Sequence, residues 1–386
     1  MQKSKSLILF RRHIFGLRFP TTIPHNNNNL KKISTMATPM VSQQQASFAP
    51  KISSATPKKG HQRLLSNELQ LDKLRPSSPS YWERDDVKII GHRGALYDAV
   101  ENTLESFQKC IDWKCQGVEL DIFLLRDGSL VVFHGSGTDK APGALDGYCE
   151  APFEDATSIL DLTLEEAQQL QFEADSEHLP GASLPYAAAK AQIPTLKQVL
   201  ELFQQPAARN MKITIEMKGE GTPEPAIQVV EELNMGHRVV FSSFKHDRVH
   251  LVKKLRPTFT TAATFPQHVP DNFLELLQRD GSPHQPNEIH LRYDTCSIDR
   301  VSAAHKAGFK VMAWCRGPKA MEHDVTHTYL DTWSDERHVY DLVLQTGVDA
   351  ICCNRPQWAI DMLAQKRESD SSGSDSSDNE QDAAVE

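Results

Sequence analysis

VELDIFLLRDGSLVVFHG, residues 118–135, sets two carboxylates inside an apolar run of strand character. Glu119 and Asp121 are two positions apart, so on a strand their side chains leave the same face, the spacing of a metal site or an acid pair. Asp127-Gly128 has the form of a tight turn, returning the chain as SLVVFH and carrying His134 to the rim where the carboxylates emerge. Upstream, IIGHRG at residues 89–94 is a second apolar run that ends on His92 and Arg93. Two imidazoles, a guanidinium and two carboxylates at one rim form a set suited to handling phosphate.

Outward from this stretch the chain alternates. VKIIGHRG reads as a buried strand, and Glu101-Asn-Thr-Leu-Glu-Ser-Phe opens a helix with Leu104, Phe107 and Ile111 on one face. Residues 135–192 form a long excursion with one amphipathic helix around Leu162 to Leu170 and little sign of core strands. Ile193-Pro-Thr-Leu begins the next helix, with Pro at a tolerated early position, and KITIEMK at residues 212–218 is the third main strand. The strands RVVFSSF, TTAATF, EIHLRY, KVMAWC and VDAICCN then alternate with helices near 226–233, 249–255, 273–277, 301–307, 340–344 and 359–364. Eight strand–helix pairs predict a closed (β/α)₈ TIM barrel over residues 87–367, with insertions at 135–192 and 318–338. An open doubly wound sheet would carry a glycine-rich loop after its first strand, and GHRGALYDAVEN lacks one. In the second insertion His323 and His327 lie four apart, but no third ligand is evident and they read as solvent-facing.

The flanks differ from this body. Residues 1–67 hold eleven Lys or Arg and no acid, a composition of organellar transit peptides, so residues 1–86 are expected to be a disordered leader and linker addressing a plastid or mitochondrion. Met36 offers an internal start that would leave a cytoplasmic form. Residues 368–386 carry seven acids and no base, and read as a disordered tail. With the whole chain at −9, the segment between leader and tail bears −13, which argues against nucleic acid as partner and suits a divalent cation. The seven cysteines form no CxxC pair and read as reduced core thiols. No run approaches the ~20 apolar residues of a membrane-spanning helix, so a lipid substrate must come from solution or a membrane surface.

In a (β/α)₈ barrel the active site lies at the C-terminal ends of the strands. His92, Arg93, Glu119, Asp121, His134, Glu216, Lys218 and Trp314 interrupt the apolar runs there one after another. Singly each has an ordinary explanation, such as an ion pair, a rim histidine or a packed indole. Their joint placement is what points to a site.

GHRG followed by ENT, then VELDIFLLRDGSLVVFH, IPTL, ITIEMK, SSF, VMAW and GVDAICCNRP resemble, in order, the motifs of the glycerophosphodiester phosphodiesterase family. The resemblance implies a (β/α)₈ barrel that hydrolyses glycerophosphodiesters to glycerol 3-phosphate and an alcohol, using one divalent cation, Mg²⁺ or Ca²⁺. By motif it assigns Glu119, Asp121 and Glu216 as metal ligands, hard oxygen donors suited to either ion. It makes His92 and His134 the general acid and base, and gives the phosphoryl oxygens to Arg93 and Lys218. Asn102 is expected to bond a metal ligand or the phosphate, and Trp314 to wall the glycerol or alcohol side. It further implies that a substrate hydroxyl attacks first to give a cyclic phosphate, which water opens.

Four positions depart from the family pattern. Gly135 stands where Asp usually follows the second histidine, and Asp139, four residues on, is not expected to substitute, because a glycine-rich loop need not return it to the site; Val100 replaces the proline before ENT; Cys315-Arg316-Gly317 follows VMAW; and Cys353-Asn354 replaces Thr-Asp. The last two are expected to bear on the alcohol side of the pocket. Phospholipase D-like hydrolysis of lysophospholipids on the same barrel is the neighbouring enzymatic reading. A non-catalytic sensor or scaffold is the reading from another class, with Gly135 and the altered final motif as its support.

Overall fold

The computed structural model describes residues 87–135, 141–172 apart from 147, 151, 152 and 154, 191–278, 285–315 and 333–373. The basic leader, Asp139, His323, His327 and residues 374–386 lie outside the described residues. After β1 (Lys88–Gly91) and β2 (Gly117–Leu124) come a hairpin strand, β3 (Leu130–Val132), and a small antiparallel pair, β4 (Cys149–Glu150) and β5 (Gln171–Phe172). Six more strands follow: β6 (Lys212–Met217), β7 (Val239–Ser243), β8 (Thr260–Phe265), β9 (Glu288–Arg292), β10 (Lys310–Trp314) and β11 (Ala350–Cys353). Strands β1, β2 and β6–β11 pair in parallel around a complete circuit, closed by β1 against β2 on one side and β11 on the other. This is the expected (β/α)₈ barrel.

The helices are α1 (Leu104–Asp112), α2 (Leu164–Ala167), α3 (Leu196–Leu202), α4 (Pro223–Glu232), α5 (His246–Leu255), α6 (Phe273–Gln278), α7 (Ile298–Lys306), α8 (Trp333–Gln345) and α9 (Pro356–Gly373). Strand parity separates their core from the barrel interior. Val118, Leu120 and Ile122 of β2 join Ile213 and Ile215 of β6 and Phe107, Val199 and Ile227 of the helices in one apolar cluster. The alternate residues, Glu119, Asp121, Thr214 and Glu216, therefore face inward. A second cluster packs β8–β11 against α6–α9. Among the described residues no helix is long and apolar enough to cross a membrane.

Local starts and stops differ from the expected ones in three places. Helix α1 opens at Leu104, with Thr103 Oγ1 accepting from Ser106 N at 3.3 Å, so Glu101 and Asn102 lie in the preceding turn. Leu104 is 37% exposed; the buried face is Ser106, Phe107, Cys110 and Ile111. At α3 the cap is Thr195, in a reciprocal box with Gln198, which places Pro194 before the helix, where its carbonyl accepts from Val132 N at 2.9 Å. Helix α9 runs to Gly373, six residues into the segment assigned to the acidic tail, because each added residue gains a backbone bond once the packed turns of Ala359 and Met362 are formed.

The first insertion is more structured than its composition implies. A 3₁₀ turn at Ile159–Asp161, α2 and the β4–β5 pair build a satellite core of Phe123, Val131, Phe133, Tyr148, Ile159, Leu162 and Leu170. Phe133 meets Tyr148 edge to face at 5.3 Å. This core grips the β2–β3 hairpin from outside and fixes where His134 emerges.

Candidate active site

The strand ends bring the expected residues together. Ligand oxygens of Glu119, Asp121 and Glu216 all lie within 4.8 Å of one another. Registry explains this, since Asp121 of β2 sits opposite Glu216 of β6. Burial, then the charges of Asp121 and Glu216, push the Glu119 carboxyl well above the usual carboxylate range. Glu216 is also raised by burial, against the opposing pull of Lys218. Lys218 Nζ lies 3.2 Å from Glu216 Oε1 and 3.6 Å from Asp121 Oδ1, and these two anions hold it charged despite its burial. Three converging, mutually repelling carboxylates, two buried and one half-buried, with oxygen donors only, are chemically matched to a hard divalent cation.

Two residues beside them hold left-handed backbone, Arg93 at φ 54° and Asn102 at φ 57°. Such a conformation costs about 1–2 kcal/mol in a residue with a Cβ, and asparagine tolerates it best. Hydrogen bonds offset the cost. Arg93 N donates to Glu119 Oε2 at 3.1 Å, and Asn102 Nδ2 donates to Asp121 Oδ2 at 2.9 Å while its Oδ1 accepts from Asp121 N at 3.4 Å. Asn102 thus grips a carboxylate of the acidic centre. Arg93 is more committed than a bare phosphate fork, because its Nη1 donates to both oxygens of Glu101, at 3.0 and 3.2 Å, and its Nε lies 3.5 Å from Asp121 Oδ2. Burial opposes its charge, but Glu101, Asp121 and Glu119 outweigh that effect.

Both histidines reach the same rim. His92 Nε2 is 4.0 Å from Glu119 Oε2, and its Nδ1 is 2.7 Å from Asn354 Oδ1. Burial first, then the charge of Arg93, lowers its pKa to about 3. His134 is pushed well below its ordinary value by burial and then by Arg93 and Lys218. Its Nδ1 lies 2.6 Å from the carbonyl oxygen of Gly135, which can only accept, so Nδ1 carries the proton and Nε2 the lone pair.

Gly135 is a backbone requirement. Its φ is +74°, and a Cβ there would lie 2.7 Å from Ala144 O, 2.8 Å from Gly143 C and 2.9 Å from Gly143 Cα. The family's usual Asp does not fit while residues 143 and 144 stand where the satellite core puts them. Gly135→Asp is expected to destabilise the protein by roughly 2–4 kcal/mol through left-handed strain and overpacking, and not to raise activity. Chemical denaturation checks this, and a variant as stable as the parent would show that the neighbouring backbone can retreat.

Trp314 stands on the far rim, its Nε1 donating to Phe265 O at 3.3 Å and its ring edge-on to Phe244 at 5.5 Å. Three residues with direct contacts here were given no role by the motifs: Glu101, Arg248 and Arg292. Arg248 Nη1 donates to the carbonyls of Met217 and Lys218 at 2.8 and 2.6 Å and pins the end of β6. Arg292, in register with Trp314, pairs with Asp294. Asn354, expected to bear on the alcohol side, is placed beside His92, because β11 runs beside β1.

The sequence profile of the glycerophosphoryl diester phosphodiesterase family matches residues 92–358. The chain belongs to that family and is a phosphodiesterase. It is 25% identical over 280 residues to a glycerophosphodiester phosphodiesterase of Caldanaerobacter subterraneus, a span covering 71% of this chain and 97% of the relative. A glycerophosphodiester phosphodiesterase of Bacillus altitudinis is 29% identical over 226 residues, 57% of this chain and 82% of the relative. The barrel superposes with a TM-score of 0.50 on an Oleispira antarctica phosphodiesterase solved with sn-glycerol-3-phosphate, at 24% identity, covering 71% of this chain and 96% of that one.

Proposed function

We propose that this protein is a cation-dependent hydrolase of glycerophosphodiesters, releasing glycerol 3-phosphate and an alcohol. The observation that carries this reading is the convergence of Glu119, Asp121 and Glu216 within 4.8 Å, beside two neutral imidazoles and two cationic side chains. Glu119, Asp121 and Glu216 would hold one Mg²⁺ or Ca²⁺, which when bound supplies positive charge to the phosphoryl oxygens. Lys218 adds a point charge to the same oxygens, and Arg93 orders the loop that brings Glu119 and His92 together.

His92 and His134 act as the acid–base pair. Both are neutral in the free site, so a base is ready to take the proton of the attacking hydroxyl. The anionic diester opposes the fields of Arg93 and Lys218, raising the basicity of the second imidazole so that it carries a proton for the leaving alkoxide. Attack by the substrate's own glycerol hydroxyl, followed by hydrolysis of the cyclic phosphate, uses the same pair twice. The altered residue after His134 gives a non-catalytic barrel no support, since Gly135 itself orients that imidazole through its carbonyl.

The purified protein is expected to release glycerol 3-phosphate from glycerophosphocholine, glycerophosphoethanolamine or glycerophosphoglycerol when Mg²⁺ or Ca²⁺ is added, and to lose that turnover in EDTA. Lysophosphatidylcholine as a parallel substrate separates the phospholipase D-like reading. Cation-independent turnover, or none with any of these diesters, would overturn the proposal.

A further inference from the structure

His92 and Asn354 stand 262 positions apart, yet they are the next residues after a register pair, Gly91 opposite Cys353, on neighbouring parallel strands. His92 N donates to Cys353 O at 3.0 Å, so the two backbones stay joined to the rim. Ile90 and Cys352, two residues before each, share a cluster inside the barrel, and strand parity turns His92 and Asn354 the same way. We propose that Asn354 is a positioning residue for His92. Its carboxamide oxygen, 2.7 Å from Nδ1, fixes the imidazole as the Nδ1–H tautomer and leaves the Nε2 lone pair facing the acidic centre, where Glu119 Oε2 is 4.0 Å away.

A second contact secures this one. The guanidinium carbon of Arg355 lies 3.8 Å from the ring centroid of Tyr97 and 4.1 Å from that of Trp358. Tyr97 belongs to the turn between β1 and α1, and Trp358 to the first turn of α9. The stacked cation therefore ties together the two loops that flank the β1–β11 seam, one carrying His92 and the other Asn354. Of the five residues involved, all but Trp358 are buried, at 7% exposure or less. A hydrogen bond held between two buried groups by such a clamp fixes a ring orientation more strictly than a solvated one.

This inference rests on the reading of His92 as an acid–base group, and the experiment separates the two. The full chain is prepared as wild type, Asn354→Leu, Asn354→Asp and Arg355→Met, and labelled with ¹⁵N-histidine, with His92→Gln identifying the His92 signals. Wild type and Asn354→Asp are expected to show His92 protonated at Nδ1, and Asn354→Leu to lose that signature. In turnover of glycerophosphocholine with Mg²⁺, Asn354→Leu is expected to lose about 100-fold in kcat with KM within a few-fold, since misplacing one reacting group costs on that order. Asn354→Asp keeps the acceptor and should stay within a few-fold of wild type, and Arg355→Met should fall between them. An unchanged His92 tautomer in a folded Asn354→Leu, or an equal loss in Asn354→Asp and Asn354→Leu, overturns the proposal. Should Asn354→Leu fail to fold, Asn354→Ala is read in its place, and a wild-type His92 tautomer with wild-type kcat in that variant overturns the proposal. Absence of turnover in wild type sinks the hydrolase reading but leaves the tautomer measurement intact.

Discussion

Glu119→Gln is expected to stabilise the cation-free protein, erase its stabilisation by Mg²⁺ or Ca²⁺, and cut turnover about 1,000-fold. The three effects share one cause. Glu119 is 6% exposed among like charges, so an isosteric amide removes repulsion, of about 1–2 kcal/mol. The amide can still accept from Arg93 N, which keeps the loop in place. A cation at a hundredfold excess over its dissociation constant stabilises the wild type by about 2.7 kcal/mol, and the weakened site forfeits most of that. Loss of the charge it supplies, several kcal/mol in the transition state, accounts for the rate. The pH dependence carries a sign. The Glu119 carboxyl is raised in the folded state, so its contribution is fully present below its unfolded value and is lost as pH rises through the folded one. Thermal melts of the cation-free wild type should therefore fall relative to Glu119→Gln as pH rises. A variant less stable than wild type without cation, or one that keeps the cation response, contradicts the assignment.

His92→Ala should lower kcat by about 10²–10⁴-fold, the usual share of a positioned acid–base group. Its pH behaviour is more diagnostic than its size. Because the His92 pKa lies at about 3, the free enzyme keeps this group as a neutral base far below the ordinary histidine range. At saturating cation kcat/KM should thus hold through pH 6.5, and the acid limb of kcat should lie higher than that of kcat/KM, because the bound phosphate anion raises the imidazole. The same shift acts on stability in the opposite sense from Glu119. Between pH 6.5 and about 3 the unfolded state takes up a proton that folded His92 refuses, so stability drops as pH falls through that window, at up to about 1.4 kcal/mol per unit. His92→Gln should flatten that acid limb. A kcat/KM profile centred on pH 6.5 would mean that His92 is solvated in the working enzyme.

The barrel was legible because parallel strands flanked by helices write their pattern locally, and the carboxylates were legible because period-two spacing puts Glu119 and Asp121 on one face. What sequence could not supply depends on distant packing. Gly135 reads as a defect until the 143–144 backbone is seen to occupy the space a side chain would need. Asn354 shows no link to His92 until β11 is placed beside β1. Leu104 has the spacing of a core residue, but the buried face is formed by Ser106, Phe107, Cys110 and Ile111 and leaves that first-turn position at its edge. Arg248 lies on a helix without any motif, and only the end of β6 reveals its task.

The join of the first barrel strand to the last has a consequence for biogenesis. Glu119, Asp121 and Glu216 sit on neighbouring strands and assemble from contacts made within the first half of the fold. The His92–Asn354 bond spans 262 positions and forms only when the ring of strands shuts. Closing so long a loop is among the slower events a chain of this topology undergoes. A partly folded or truncated chain would therefore gather cation-binding acids early while its base stayed unaligned, and hydrolytic competence would arrive last, coincident with the completed barrel.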